Sequence, residues 1–227
     1  MRIIAGTHRG RPLTAPPGDG TRPTSDRVRE SLFSALAALD VLEGARVLDV
    51  FAGSGALGLE ALSRGAARAV FVEKAASVAR VITGNIRTLG AGDRAAVLTR
   101  QAATALREMP ARSADLVFAD PPYPLGEAEV SAVLELLVPV LAGADALIVL
   151  ERSSRSPQPA LPAGLEVFRE KTMGETRLWF LQLTEAALAA REVESGEPGP
   201  GAPPAAEPGP GEPAERPAAG ERAPGEH

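Results

Sequence analysis

The chain contains no cysteine, which excludes a disulfide framework, a thiolate nucleophile and a cysteine-bound zinc site. Histidine is almost absent as well: the two are His8 and His227, and His227 ends a low-complexity stretch, so no metal site is expected. Aromatics are sparse, with one Trp, one Tyr and six Phe in 227 residues. No apolar run approaches the roughly 20 residues that cross a bilayer. Met1-Arg2-Ile3-Ile4 lacks the apolar core of a secretory leader, and a cytoplasmic protein is expected. Large apolar residues also stop at Val193, after which Pro, Gly, Ala and Glu dominate. Such a composition cannot bury enough surface to offset its ordering entropy, so residues 192–227 read as a disordered tail.

That tail sets the acidity of the whole chain. It carries eight Glu and two Arg, whereas residues 1–191 hold 22 basic and 21 acidic residues. The pI of about 5.3 therefore says little about the part that folds. Within residues 1–31 the balance reverses: Arg2, Arg9, Arg11, Arg22, Arg27 and Arg29 stand against Asp19, Asp26 and Glu30. An Arg-rich edge of this kind serves either as a phosphate-contacting surface or as an ordinary solvated face.

Two short extended runs, Arg2-Ile3-Ile4 and Arg11-Pro12-Leu13, flank glycines and predict a β-hairpin over residues 1–22 with His8, Arg9 and Arg11 at its tip. Thr24 or Ser25 caps a helix carrying Val28, Leu32, Phe33, Leu36 and Leu39 on one stripe. From residue 46 strands and helices alternate. Strands are expected at 46–51, 69–73, 95–99, 115–119 and 146–150, with helices at 55–63, up to Leu89, 102–108 and 127–141 between them. Residues 165–171 and 176–183 then form a hairpin through Met173-Gly174-Glu175. Near-continuous apolar strands separated by helices make a parallel sheet covered on both faces. The closing hairpin brings the sheet to seven strands with an antiparallel edge, in one α/β domain over residues 23–185.

Val47-Leu48-Asp49-Val50-Phe51 runs straight into Ala52-Gly53-Ser54-Gly55-Ala56-Leu57-Gly58. Gly53 and Gly55 let the backbone turn tightly and approach a ligand. By itself the turn suits a nicotinamide cofactor, S-adenosylmethionine, or packing alone. Asp49 lies inside the strand, where it meets a cationic or amine-bearing ligand, and Glu73 ends the next strand, where it takes ribose hydroxyls. Carboxylates at both places favour S-adenosylmethionine, which carries an ammonium and a sulfonium but no phosphate.

Asp120-Pro121-Pro122-Tyr123 follows the fourth apolar strand. An exocyclic base amine is a poor nucleophile because its lone pair is conjugated into the ring. Two acceptors aimed at its hydrogens, the Asp120 carboxylate and the Pro121 carbonyl, hold it in line and draw that lone pair out of plane. Pro121 and Pro122 stiffen the loop, and Tyr123 offers a face on which the base stacks. This is the signature of amino-methyltransferases. Over residues 1–183 the chain further resembles the bacterial 16S rRNA guanine-N2 methyltransferase family, RsmD. The resemblance is carried by Arg2-Ile3-Ile4-Ala5-Gly6 with Gly10-Arg11, by Arg22-Pro23-Thr24 through Arg29-Glu30 and Phe33, by Asp49 to Gly55, by Asp120 to Tyr123 and by Gly174-Glu175-Thr176.

The resemblance implies a Rossmann-like class I methyltransferase fold and S-adenosylmethionine held by Asp49, Phe51, Gly53, Ser54, Gly55, Glu73 and Lys74, with Gln101 and Ala102 beside the adenine. It implies a guanine of 16S rRNA at Asp120. A small basic edge on a nearly neutral body suggests limited affinity for free RNA, so a small-subunit assembly particle is the expected partner, and a monomer is expected. It places Arg2, His8, Arg9, Arg11, Arg22 and Arg27 against RNA. Family members carry an acidic residue where this chain has Gln101, and they lack the acidic tail. The competing readings are a DNA adenine or cytosine amino-methyltransferase, a non-catalytic RNA-binding module, and a nicotinamide-dependent oxidoreductase.

Overall fold

The fold rests on a central sheet of seven strands in the order β3-β2-β1-β4-β5-β7-β6, seen in a computed structural model that describes residues 1–16, 26–122 and 125–195. The elements are α1 (Asp26–Ala38), β1 (Arg46–Val50), α2 (Ala56–Ser63), β2 (Arg68–Val72), α3 (Ala76–Leu89), β3 (Ala95–Leu98), α4 (Ala102–Glu108), β4 (Leu116–Ala119), α5 (Glu127–Leu137), β5 (Leu147–Ser153), β6 (Leu165–Met173), β7 (Thr176–Leu183) and α6 (Glu185–Ser195). β1 to β5 pair in parallel, and β7 joins β5 and β6 antiparallel. The mostly parallel α/β sheet with a closing hairpin is the expected architecture.

The parallel strands are apolar on both faces because each face carries its own core. Leu32, Phe33 and Leu36 of α1 cover one face with Leu59 of α2 and Ile82 of α3. On the other, Leu106 of α4 and Val130 and Leu134 of α5 pack against Leu48, Val117 and Ile148. Strand order reverses between β1 and β4, leaving a crevice beyond the carboxyl ends of these two strands.

Two element ends differ from expectation. The 127–141 helix stops at Leu137 and tightens into a 3-10 turn over Val138–Val140, because Pro139 has no N–H to continue the ladder. The proposed tail begins too early: its first residues, Glu192–Ser195, form the last turn of α6. This helix was not foreseen, although its cap was readable. Thr184 Oγ1 accepts the Ala187 N–H at 3.2 Å, and Ala187 and Leu188 pack on the α5 side of the sheet. Residues 196–227 lie outside the described residues, as do Arg22 and the proposed cap Thr24 or Ser25.

The N-terminal hairpin forms and is fastened to the core. Ile3 N–H donates to Arg11 C=O and Leu13 N–H to Met1 C=O, each at 3.0 Å. Only one bridge, Arg2 with Pro12, has strand geometry, since Pro12 offers no donor. Ile3 and Leu13 are buried in the α1–α3 core. The fully buried Glu60 of α2 accepts the Ile4 and Ala5 N–H groups at 2.7 and 3.0 Å. Gly6 has φ +82°, and a Cβ there would lie 1.8 Å from the Ser63 carbonyl oxygen, so only glycine fits.

Candidate active site

The register of β1 with its neighbours brings the predicted site together. Val50 lies opposite Val72 on one side and Ala119 on the other, so Phe51, Glu73 and Asp120 leave three adjacent strands at one level. Phe51 has φ +63°, a conformation costly for an aromatic residue. It turns the chain into the glycine loop. Ala52 N–H donates to Val72 C=O at 3.0 Å and Gly55 N–H to Ala52 C=O at 2.7 Å, closing that loop against β2.

The glycines have separate tasks. Gly53 (φ +55°) and Gly55 (φ +75°) supply left-handed turns. Gly58 is a contact glycine, because a Cβ there would lie 2.4 Å from Phe71 Cε1 of β2 and 3.2 Å from Asp49 Oδ2.

Asp49 is buried in β1, and its Oδ2 accepts the Gly58 N–H at 2.9 Å. Burial pushes its carboxyl up to about 7; the Gly58 bond opposes this and Glu73 adds to it. This geometry bears on cofactor class. A dinucleotide enzyme leaves the first amides of this helix open for pyrophosphate. Here a protein carboxyl already occupies one of them, so that amide is closed to phosphate, while the acids of the crevice can meet an amine or a cation. These residues fit S-adenosylmethionine.

Glu73 ties the same loop from the neighbouring strand. Its Oε2 accepts the Gly53 N–H at 3.2 Å and its Oε1 the Ala75 N–H at 2.8 Å. A carboxylate has about four acceptor sites, so capacity for ribose hydroxyls remains. Ser54 is half-buried, with its Oγ directed at Met1 Sδ at 3.7 Å. Lys74 is exposed beside Glu73. Gln101 is exposed at the start of α4, next to the buried Ala102.

Asp120 follows β4 across the crevice from the glycine loop. Its carboxyl is raised well above the usual carboxylate range, first by desolvation, then by Glu151 and Asp49, against a lowering by Arg152. Pro121 is buried and Pro122 exposed. Pro122 C=O accepts the Leu125 N–H at 2.8 Å. Tyr123 lies outside the described residues.

Of the residues assigned to RNA, Arg2, Arg9, Arg11 and Arg27 are exposed and His8 is half-buried. Arg2 and Arg9 line a shallow cavity with Asp26 and Glu30. Arg29 belongs to the interior instead: it is 1% exposed and donates to the Arg2 carbonyl and Asp26. Among the described residues no group of acidic residues and histidines has the arrangement of a metal site. No helix of the described residues is long and apolar enough to cross a membrane.

Sequence reading missed Asn85. It is 2% exposed on α3. Its Oδ1 accepts the Thr14 N–H at 2.8 Å, and its Nδ2 donates to Thr14 C=O at 2.9 Å and Ser54 C=O at 3.0 Å. One side chain thus ties the N-terminal hairpin to the glycine loop. A polar residue on the buried stripe of α3 was the available signal.

Similarity to known proteins gives the family and the fold. Residues 1–182 match the family model described as conserved hypothetical protein 95. The ribosomal RNA small subunit methyltransferase D of Escherichia coli is 43% identical over 175 residues, covering 77% of this chain and 86% of that protein. Its counterpart from Haemophilus influenzae is 37% identical over 176 residues, 77% and 89% of the two chains. Among solved structures, a hypothetical protein of Thermus thermophilus superposes with a TM-score of 0.66 at 32% identity, covering 81% of this chain and 99% of the other. The Escherichia coli protein yhhF does so with a TM-score of 0.69 at 40% identity, covering 81% and 97%. The chain belongs to the RsmD family of methyltransferases and has its Rossmann-like fold.

Proposed function

We propose that this protein transfers a methyl group from S-adenosylmethionine to the exocyclic N2 amine of a guanine in 16S rRNA. The observation that carries this reading is the placement of Asp120 and Pro121 at the carboxyl end of β4, beside the loop that Asp49 and Glu73 hold on β1 and β2. The relatives named for small-subunit rRNA methylation support the RNA substrate. The exposed Arg2, Arg9, Arg11 and Arg27 provide phosphate contacts at the edge of the site.

S-adenosylmethionine supplies an electrophilic methyl on a sulfonium. Asp49, Phe51, Gly53, Ser54, Gly55 and Glu73 would hold it, with Lys74, Gln101 and Ala102 on the adenosine side. The chain's own work is on the amine. Asp120 and the Pro121 carbonyl each accept one N2 hydrogen, which orients the nitrogen and localises its lone pair. Tyr123 stacks on the base. As the N–C bond formed, the bond from the methyl to sulfur would break and the neutral thioether S-adenosylhomocysteine would leave; the nitrogen then sheds one proton, and the Asp120 carboxylate, whose affinity for protons is raised, is the group placed to receive it.

The test is to incubate the protein with labelled cofactor and small subunits that lack modification, then digest the rRNA and identify the labelled base by mass spectrometry. N2-methylguanine at one position is the expected product. Label on adenine, on cytosine, or nowhere overturns the reading.

A further inference from the structure

The proposed acceptor site holds a second carboxylate that the catalytic motif does not include. β4 and β5 run in parallel with Leu116 opposite Leu147 and Ala119 opposite Leu150. One step further on, Asp120 stands beside Glu151 on strands about 4.8 Å apart. Leu116 and Phe118 of β4 and Leu147 and Val149 of β5 all enter the α1–α3 core. The two-residue period of a strand therefore carries Asp120 and Glu151 to that same face. Val47 of β1 lies in this core as well, which puts Asp49 on the face too. Arg152, one residue on, alternates to the opposite face, where it pairs with Glu127 at the start of α5.

Base chemistry gives this pair a meaning. In guanine the amine is flanked by N1–H, a donor. In adenine and cytosine the ring nitrogen beside the amine is an acceptor. An anionic acceptor next to the one holding the amine therefore rewards guanine and repels the other two. We propose that Glu151 is the specificity-determining residue of the acceptor site, accepting guanine N1–H while Asp120 holds the N2 amine. This rests on the guanine reading above and explains the choice that the Asp-Pro-Pro-Tyr loop alone leaves open. Glu151 raises the Asp120 carboxyl, in keeping with two carboxylates that face one another across the site.

The test uses small subunits reconstituted with rRNA carrying either guanine or 2-aminopurine at the methylated position. 2-Aminopurine keeps the amine but presents an N1 acceptor. The native protein should prefer guanine by about 100-fold or more in kcat/KM. Glu151→Gln, whose uncharged amide can turn either to accept N1–H of guanine or to donate to N1 of 2-aminopurine, should lose activity on guanine and hold or gain on 2-aminopurine, collapsing the ratio. Glu151→Asp should keep the native preference at reduced rate. The acid limb of the pH–rate profile should also move to lower pH in Glu151→Gln, because one cause of the raised Asp120 carboxyl is gone. An equal loss on both bases, or none on either, overturns this inference and leaves the guanine reading standing. If the native protein methylates neither base, the guanine reading itself fails.

Discussion

At the residue scale, Asp49 accepts an amide of α2 and Glu73 accepts those of Gly53 and Ala75. Asp49 was legible as a candidate site residue because of its odd place inside an apolar strand. The Gly58 amide that it accepts was not, because sequence spacing does not show where a helix N-terminus points. A testable consequence follows from the burial of Asp49. The carboxyl titrates near 7 in the folded protein against 3.8 for the free side chain, so folding favours the protonated form. That contribution is complete below about pH 4 and is lost as pH rises through about 7. The stability advantage of the native protein over Asp49→Asn should accordingly shrink between pH 5 and pH 8, by about 2–3 kcal/mol. Urea unfolding of cofactor-free protein at the two pH values measures it, and a constant difference would contradict the buried acid.

At the element scale the N-terminal hairpin is the part whose role changed most. Its existence was visible in the glycines and short apolar runs. Its attachment was not, because Glu60, Ser63 and Asn85 look like ordinary polar helix positions until packing aims them inward. Asn85 joins the hairpin at Thr14 to the glycine loop at Ser54. Asn85→Ala leaves buried backbone groups without partners and should cost about 2–3 kcal/mol. It should also raise KM for the cofactor more than it lowers kcat, since the Ser54 carbonyl loses its anchor. Loss of stability with an unchanged KM would make Asn85 a purely structural brace. The missed α6 has a similar cause: a short helix next to a Pro- and Gly-rich stretch is hidden when composition is averaged across the boundary.

At the scale of the whole molecule, near-continuous apolar strands and intervening helices sufficed to give the sheet and its hairpin edge. The order of the strands was not in the periodicity. It follows from crossover geometry, and it puts the crevice between β1 and β4. The C-terminal boundary is testable by truncation. Removing residues 196–227, which carry no large apolar residue, should leave melting temperature and activity unchanged. Removing residues 185–227 should lower the melting temperature, because Leu188 leaves the core and Arg191 no longer donates to the Leu141 carbonyl at 2.8 Å. Equal melting temperatures for both truncations would show that α6 contributes nothing.

The central proposal is that Asp120 holds the attacking amine. The direct measurement is methyl transfer to unmodified small subunits by Asp120→Ala, alongside calorimetry of S-adenosylmethionine binding to the same protein. Transfer should fall at least 100-fold with cofactor affinity within a few-fold of native. Retained transfer, or lost cofactor binding, would contradict the proposal.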